Sequence, residues 1–368
     1  MKEHVIDEME TYKCNSTQNI YYLSEMCLER SFLEIYECTV SYGKIELFFR
    51  YLDGSWMLLM AILCTVGNLS TLLSLWLAIM KKKNGFEQKC WQITIFILHL
   101  SFVDLCWALT CAWPISYELL ALRWPFGKLF CTLKVVFVII IGATEPQLIA
   151  FISISRYFDL SKSELWERWT RNKFYLNLML VTPWALSTIP VIPYFVPSME
   201  VGFTWNCILG GCGIISTCNQ NCDDLHSKGM ELIGWYSFAL ILASVIVTGV
   251  AYVLIGLKAK KSVDYFRNNG NMPSELDKRE IKMTKTILIL IAVHGICNLP
   301  MVVFQGSFAN SSLFLQTYSE DICWHIFMII YATQFGLNFF IYAGSNSQYR
   351  QAYIDLWRYL YMKIYLSK

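Results

Sequence analysis

Seven stretches of the chain stay apolar for longer than an ordinary buried helix needs: residues 55–80, 91–115, 131–156, 174–196, 233–257, 285–306 and 322–344. Each can cross about 30 Å of hydrocarbon, which takes about 20 residues of helix. Polar and turn-forming segments separate them. The pattern predicts an all-α membrane protein built as a seven-transmembrane helix bundle (55–344), with a polar tail before it (1–54) and a short segment after it (345–368). Within that last segment Tyr349, Tyr353, Leu356, Trp357, Leu360 and Ile364 recur at helical spacing, with Arg350, Arg358 and Lys363 beside them. This is the pattern of a short amphipathic helix lying on the membrane surface, in contact with membrane lipids. The longest polar connection, after the fifth stretch, has basic flanks around a turn-forming "NNGNMPS", so helices extend beyond the membrane on both sides of it.

Composition agrees with the pattern. A chain that is 55% hydrophobic and only 16% charged, with mean hydropathy +0.42, is too apolar for ordinary soluble domains. No cleavable signal pattern opens the chain, because residues 1–50 are polar and acidic and the first apolar run is followed by Lys81, Lys82 and Lys83. No internal repeat is visible, which disfavours the duplicated plans of secondary transporters. Lys and Arg number 21 in the segments 81–90, 156–173, 258–285 and 345–368, against 8 in the segments on the other face. The first set is therefore cytoplasmic and the N-terminus outside. Acidic residues are biased the other way, leaving formal charges of −9 outside and +12 inside. Nothing in the charge pattern calls for nucleic acid; the inner face suits acidic lipid or partner surfaces.

Cysteines and glycan signals fit this orientation. Cys14, Cys27, Cys38, Cys131, Cys207, Cys212, Cys218, Cys222 and Cys323 all fall on the oxidising side, where disulfides persist. Cys64, Cys106, Cys111 and Cys297 lie within spans as small apolar packing residues. The spacings in 207–222 lack the short paired knuckles of zinc modules, so no metal is expected there. "NST" at Asn15 and "NSS" at Asn310 are glycosylation acceptors outside, whereas "NLS" at Asn68 is inside a span.

Charges inside the spans carry the chemistry. An acid at a span centre costs about 2.5–3.5 kcal/mol on insertion scales, so Asp104 in "LHLSFVDLCWAL" faces the bundle interior with a partner, for which Asn68 in "TVGNLSTLLSL" is a neutral candidate. Glu145 is followed by Pro146, which removes the backbone donor to Gly142 and should bend the third helix. An enzyme is not indicated: no nucleophile elbow, phosphate loop or metal-binding histidine pair accompanies the two acids, and His99 and His294 read as packed polar groups. The opposing reading of the acids is an ion site in a ligand-gated channel or transporter. From Cys131 to Arg156 is 25 residues, roughly 38 Å of helix, so the two mark opposite faces of the third span.

Taken in order, "GN" at Gly67 and Asn68, "LHLSFVDL" around Asp104, "WPFGKLFC" ending at Cys131, "SRY" at Ser155 to Tyr157, Trp184, "CNLP" ending at Pro300 and "NFFIY" from Asn338 to Tyr342 resemble the rhodopsin-like (class A) G-protein-coupled receptors. The chain further resembles invertebrate orphan receptors of the moody and trapped-in-endoderm type in "VGFTWNC" and "NSQYRQAY". The resemblance implies a plasma-membrane receptor whose sixth helix swings outward to admit a heterotrimeric G protein, with Arg156 and Tyr157 forming part of the receiving pocket. It implies switch roles for Tyr252, Asn298, Pro300, Asn338 and Tyr342, an acidic latch for Arg156 at Glu280, and a disulfide from Cys131 to the second outer loop, with Cys207 favoured over Cys218 and Cys222. Cys323 is a candidate partner for a tail cysteine.

Departures qualify those implications. Ser155 stands where the family has aspartate, Phe339 where it has proline and Asn298 where it has tryptophan, and the fifth span lacks its proline although Tyr252 and Ile255 still match. Glu145 occupies the level of a serine that helps Asp104 bind Na+, near Asn338 and Asn68; two carboxylates there require a cation or a retained proton. The ligand pocket by resemblance includes Lys134, Val138 and Glu118. Val138 replaces the counter-ion of amine receptors, and Ala332 replaces the lysine to which opsins attach retinal, so covalent retinal is excluded. Lys134 is placed to meet a ligand carboxylate, to pair with Glu118 or to snorkel outward. A long cysteine-rich outer loop and an acidic tail suit a peptide or protein ligand, with an acidic lipid as the other option.

Overall fold

The computed structural model describes residues 44–80, 88–121, 124–161, 172–195, 201–206, 211–216, 224–268, 275–308 and 318–365, with Glu164 and Arg168. Seven helices are long and apolar enough to cross a membrane, at Leu47–Ile79, Ile93–Ala121, Leu129–Leu160, Phe174–Ile192, Trp235–Lys261, Ile281–Val303 and Ile322–Ser345. Helix is the conformation available to such segments, because hydrocarbon offers no partner for a free N–H or C=O. The helices are arranged around a shared interior: the first packs on the second and the seventh, and the third on the second, fourth, fifth and sixth.

The first helix is longer than hydropathy suggests, running from Lys44 to Met80. Arg50 and Asp53, which break the apolar run, are 0% and 2% exposed. Asp53 can be buried because the seventh helix brings His325 to meet it, with Nδ1 2.7 Å from Asp53 Oδ2. Other differences from expectation are local. The second span is helical over Gln88–Trp107 and Trp113–Ala121, with a π turn at Ala108–Ala112 between them. The N–H of Trp113 reaches the carbonyl of Ala108, five residues back. Pro114 has no N–H to give, so the carbonyls that a regular turn would serve here are rearranged over one wider turn. By contrast the third helix, Gly127–Leu160, continues through Pro146. It starts at a tight corner where Gly127 has φ +74°, a left-handed conformation suited to glycine, and Trp124 Nε1 donates to its carbonyl at 2.9 Å.

Beyond the membrane the fifth helix extends over Asp224–Asn268 and the sixth begins at Glu275, as the basic flanks of that connection imply. A terminal helix, Ser347–Tyr365, follows the seventh. It turns Tyr349, Tyr353 and Leu356 inward, against the first and seventh helices, and leaves Trp357, Tyr361 and Met362 exposed. Strand β1 (Val201–Asn206) pairs antiparallel with β2 (Gly211–Ser216), Val201 opposite Ser216 and Asn206 opposite Gly211, and the hairpin packs on the third helix.

Two apolar clusters fill the interior. One lies toward Arg156 and includes Leu75, Phe96, Ile152, Ile255, Ile287 and Tyr342. The other, toward Cys131, includes Met57, Val103, Trp107, Ile141, Leu148 and Phe335, with Trp107 stacked on Phe335 at 3.8 Å. The first and seventh helices are closely joined. Trp56 Nε1 donates to Ile329 O and to Thr333 Oγ1, both at 3.1 Å. A Cβ added to Gly67 would stand 2.7 Å from Phe339 Cβ, so the two backbones meet at the residue that replaces the family's proline. Gly67→Ala is expected to cost about 1–3 kcal/mol by overpacking, read as a lower melting temperature in detergent; an unchanged value would show that the helices separate freely there.

Candidate functional site

At the Arg156 end the guanidinium is 4% exposed and turned into the bundle. Its Nε and Nη2 donate to Thr284 Oγ1 of the sixth helix at 3.1 and 2.5 Å. Glu280 lies one turn earlier on the same helix, and its side chain is outside the described residues. Tyr157 is held by Lys258 of the fifth helix, whose Nζ stands 4.4 Å from the ring centroid and donates to Ser161 Oγ. The helix-bound Tyr342 is fully buried, with its ring 5.7 Å from Tyr349. Ser345 Oγ donates to Thr286 Oγ1 at 2.8 Å, giving the seventh helix a second tie to the sixth. Tyr353 shares a 2.9 Å hydrogen bond with Thr71, and burial pushes its phenol up to about 12, so it stays a neutral hydroxyl. Tyr252 remains 41% exposed on the fifth helix, while Ile255 is buried.

Midway along the bundle, Asp104 and Glu145 are both 0% exposed. The seventh helix serves each with a different amide: Asn338 Nδ2 donates to Asp104 Oδ2 at 2.6 Å, and Gln334 Nε2 donates to Glu145 Oε2 at 3.1 Å. These two amides are one helical turn apart and share a face. Asn68 meets Asp104 indirectly. Its Nδ2 donates to Cys64 Sγ at 3.2 Å, and that thiol donates to the Asp104 carbonyl at 3.2 Å. Glu145 also meets His294 of the sixth helix, with Nε2 3.1 Å from Oε1. Asn298, in the place of the tryptophan and two residues before Pro300, donates to Gln334 Oε1 at 2.6 Å.

His294 is therefore more than the packed polar group that its isolation in sequence suggests. His99 does fit that description, accepting from Trp184 Nε1 at 2.8 Å. Gln334 and Thr284 were missed as well. Their signal is spacing: His294 and Asn298, like Gln334 and Asn338, are polar pairs four apart in otherwise apolar spans, which places each pair on one inward face.

At the Cys131 end, Lys134 is 5% exposed and neither snorkels nor stays open to a ligand acid. It donates to Glu118 of the second span, which is 1% exposed, and its Nζ stands 5.4 Å from the Trp124 centroid. Of the alternatives for Lys134, the structure selects the pair with Glu118. Val138, one turn on, is 40% exposed, and Ala332 is fully buried. Cys131 is disulfide-bonded; Cys207, Asn15 and Asn310 lie outside the described residues. Cys323 is a free, exposed thiol, which corrects its expected link to the tail. Among the described residues no cluster of three His, Cys, Asp or Glu side chains is arranged to hold a metal.

A bundle of seven spans with a buried arginine at one end and a disulfide at the other defines a seven-helix membrane receptor. Residues 51–342 match the model of the 7 transmembrane receptor (rhodopsin family), and the chain belongs to that family. It is similar to galanin receptor 2a of Danio rerio, at 26% identity over 296 residues, covering 78% of this chain and 73% of that protein. It is similar also to 5-hydroxytryptamine receptor 4 of Homo sapiens, at 23% identity, covering 85% and 80%. With the Gq-coupled rhodopsin of Mizuhopecten yessoensis it shares 27% identity, over 54% of this chain and 41% of the length of that protein. In fold it resembles squid rhodopsin, with TM-score 0.65 at 15% identity over 87% of this chain and 88% of that one. The protein is a multi-pass plasma-membrane signalling receptor rather than an enzyme, and a channel or transporter is not favoured.

Removing the Lys134 cation would leave the Glu118 acid buried opposite an apolar side chain. Lys134→Met is expected to destabilise by about 3–5 kcal/mol, and Lys134→Met with Glu118→Leu to recover most of it. Thermal melts of the three solubilised variants check this; no recovery in the double variant would deny the coupling.

Proposed function

We propose that the receptor takes an extracellular peptide or protein ligand and activates a heterotrimeric G protein when its sixth helix moves outward at the Arg156 end, which faces the cytoplasm. The observation that carries this reading is the buried contact of Arg156 with Thr284. A guanidinium cannot shed its charge, so its burial between the third and sixth helices is sustained only while Thr284 and its other neighbours serve it. Moving the sixth helix away uncovers a cation and opens a cleft for the end of a partner helix.

The choice of ligand follows from the other end. Val138 gives an amine no counter-ion. Lys134 is already neutralised by Glu118, which removes the cation that an acidic lipid would use. What remains is the β1–β2 hairpin packed on the third helix, which suits a ligand recognised over a surface. The terminal helix leaves Trp357 and Met362 exposed, which supports its resting on the inner headgroups on this reading.

The Asp104 half of the mid-bundle cluster has the chemistry of a sodium site. Asp104 Oδ1, Asn68 Oδ1 and Asn338 Oδ1 are buried oxygens without a hydrogen-bond partner, and hard cations take oxygen ligands. Bound there, Na+ would neutralise the carboxylate and favour the resting arrangement.

Two measurements test this reading. Membranes containing the receptor and each Gα class in turn should show basal nucleotide exchange on at least one, and Arg156→Gln should reduce it to the level of receptor-free membranes; exchange indifferent to that change would overturn the coupling. Replacing choline chloride by sodium chloride should raise the melting temperature of the purified receptor, and Asp104→Asn should abolish that rise. A sodium effect that survives Asp104→Asn places the ion elsewhere.

A further inference from the structure

We infer that Glu145, His294 and Gln334 form the restraint that holds the sixth span to the third and seventh in the resting receptor, with His294 and Gln334 as positioning residues for signalling. The inference deepens the reading above and rests on its claim that the sixth helix moves.

Three observations carry it. First, one carboxylate bridges three helices: Oε1 of Glu145 lies 3.1 Å from His294 Nε2 on the sixth, and Oε2 accepts from Gln334 Nε2 on the seventh. The Glu145–His294 contact is at ion-pair distance. Second, the sixth and seventh helices are joined again through Asn298 and Gln334 Oε1 at 2.6 Å, so both ends of the Gln334 amide are engaged. Third, the four side chains are 0–6% exposed, out of reach of bulk solvent. His294 is further fixed by its Nδ1, 2.9 Å from the Leu290 carbonyl; a carbonyl only accepts, so Nδ1 carries hydrogen and Nε2 is the ring atom turned to Glu145.

The restraint is separate from Arg156. His294 lies ten residues beyond Thr284, about 15 Å along the helix. Moving the sixth helix away from the third must therefore break polar contacts at two different depths, at Thr284 and at His294. The deeper one takes His294 off a carboxylate that has no solvent to turn to, a cost that holds the resting population high. Gln334 sets the orientation of that carboxylate, so losing it weakens the hold on His294 without removing either charge-bearing group.

The test uses the full-length receptor in lipid nanodiscs. Hydrogen exchange across 275–300 reads the freedom of the sixth helix, and basal nucleotide exchange on the responsive G protein reads signalling. His294→Ala and Gln334→Ala should each raise both, with basal nucleotide exchange up about fivefold or more. The reversed pair, Glu145→His with His294→Glu, should return both readouts toward the parent, while each single reversal stays high. That rescue would not arise from a merely structural packing role. Should His294→Ala fail to accumulate, His294→Gln carries the same expectation. Single variants with unaltered hydrogen exchange, or a reversed pair no better than its singles, would overturn the restraint. Raised hydrogen exchange with no nucleotide exchange on any G protein supports the restraint and overturns the coupling instead.

Discussion

Hydrocarbon tolerates an ionisable side chain only where another polar group meets it, and this one constraint arranges the bundle. Asp104 has Asn338, Glu145 has Gln334 and His294, Lys134 has Glu118, Asp53 has His325, and Arg156 has Thr284. Every one of these contacts joins two different helices. Because an unmet charge at a span centre is so unfavourable, each contact fixes the rotation of both helices about their axes as well as their separation. The apolar clusters supply density, but side chains such as Leu100 or Ile287 would accept several rotations; the polar contacts select among them.

The distribution of contacts divides the bundle into a rigid and a releasable part. The first and seventh helices are locked by steric fit, with Gly67 against Phe339 and Gly336 against Met60, and by Trp56 reaching Ile329 and Thr333. Phe339 in the place of a proline keeps that stretch of the seventh helix regular, and its ring packs on Tyr353 at 4.7 Å, carrying the lock into the terminal helix. The sixth helix is held otherwise. Its polar ties, at Thr284, Thr286, His294 and Asn298, are side-chain contacts that break without deforming a backbone. A helix fastened by exchangeable contacts beside one fastened by close backbone approach is the mechanical asymmetry that a switch requires.

Much of this was legible in the sequence. Seven apolar runs gave seven helices within a few residues, and the buried acids announced an inward polar cluster. The start of the first helix was not legible, because Arg50 and Asp53 look like tail charges until His325, far away in sequence, is placed beside Asp53. The role of His294 was hidden for the same reason: an imidazole reads as bland until a carboxylate from another helix is seen 3.1 Å away. Lys134 shows the opposite case, in which the possibilities were all visible and only the position of Glu118 decided among them. Local pattern reports what a residue needs; the fold reports which distant residue supplies it.

The widened turn at Ala108–Ala112 bears on how this chain is lined up with its relatives. A π turn accommodates one residue more than the α turn it replaces, and each residue rotates the helix by about 100°. Beyond that turn, counting from Asp104 slips by one place relative to a receptor without it. Against a receptor without the turn, an alignment that leaves no gap there assigns Glu118 to the wrong side of its helix and hides its partnership with the third span.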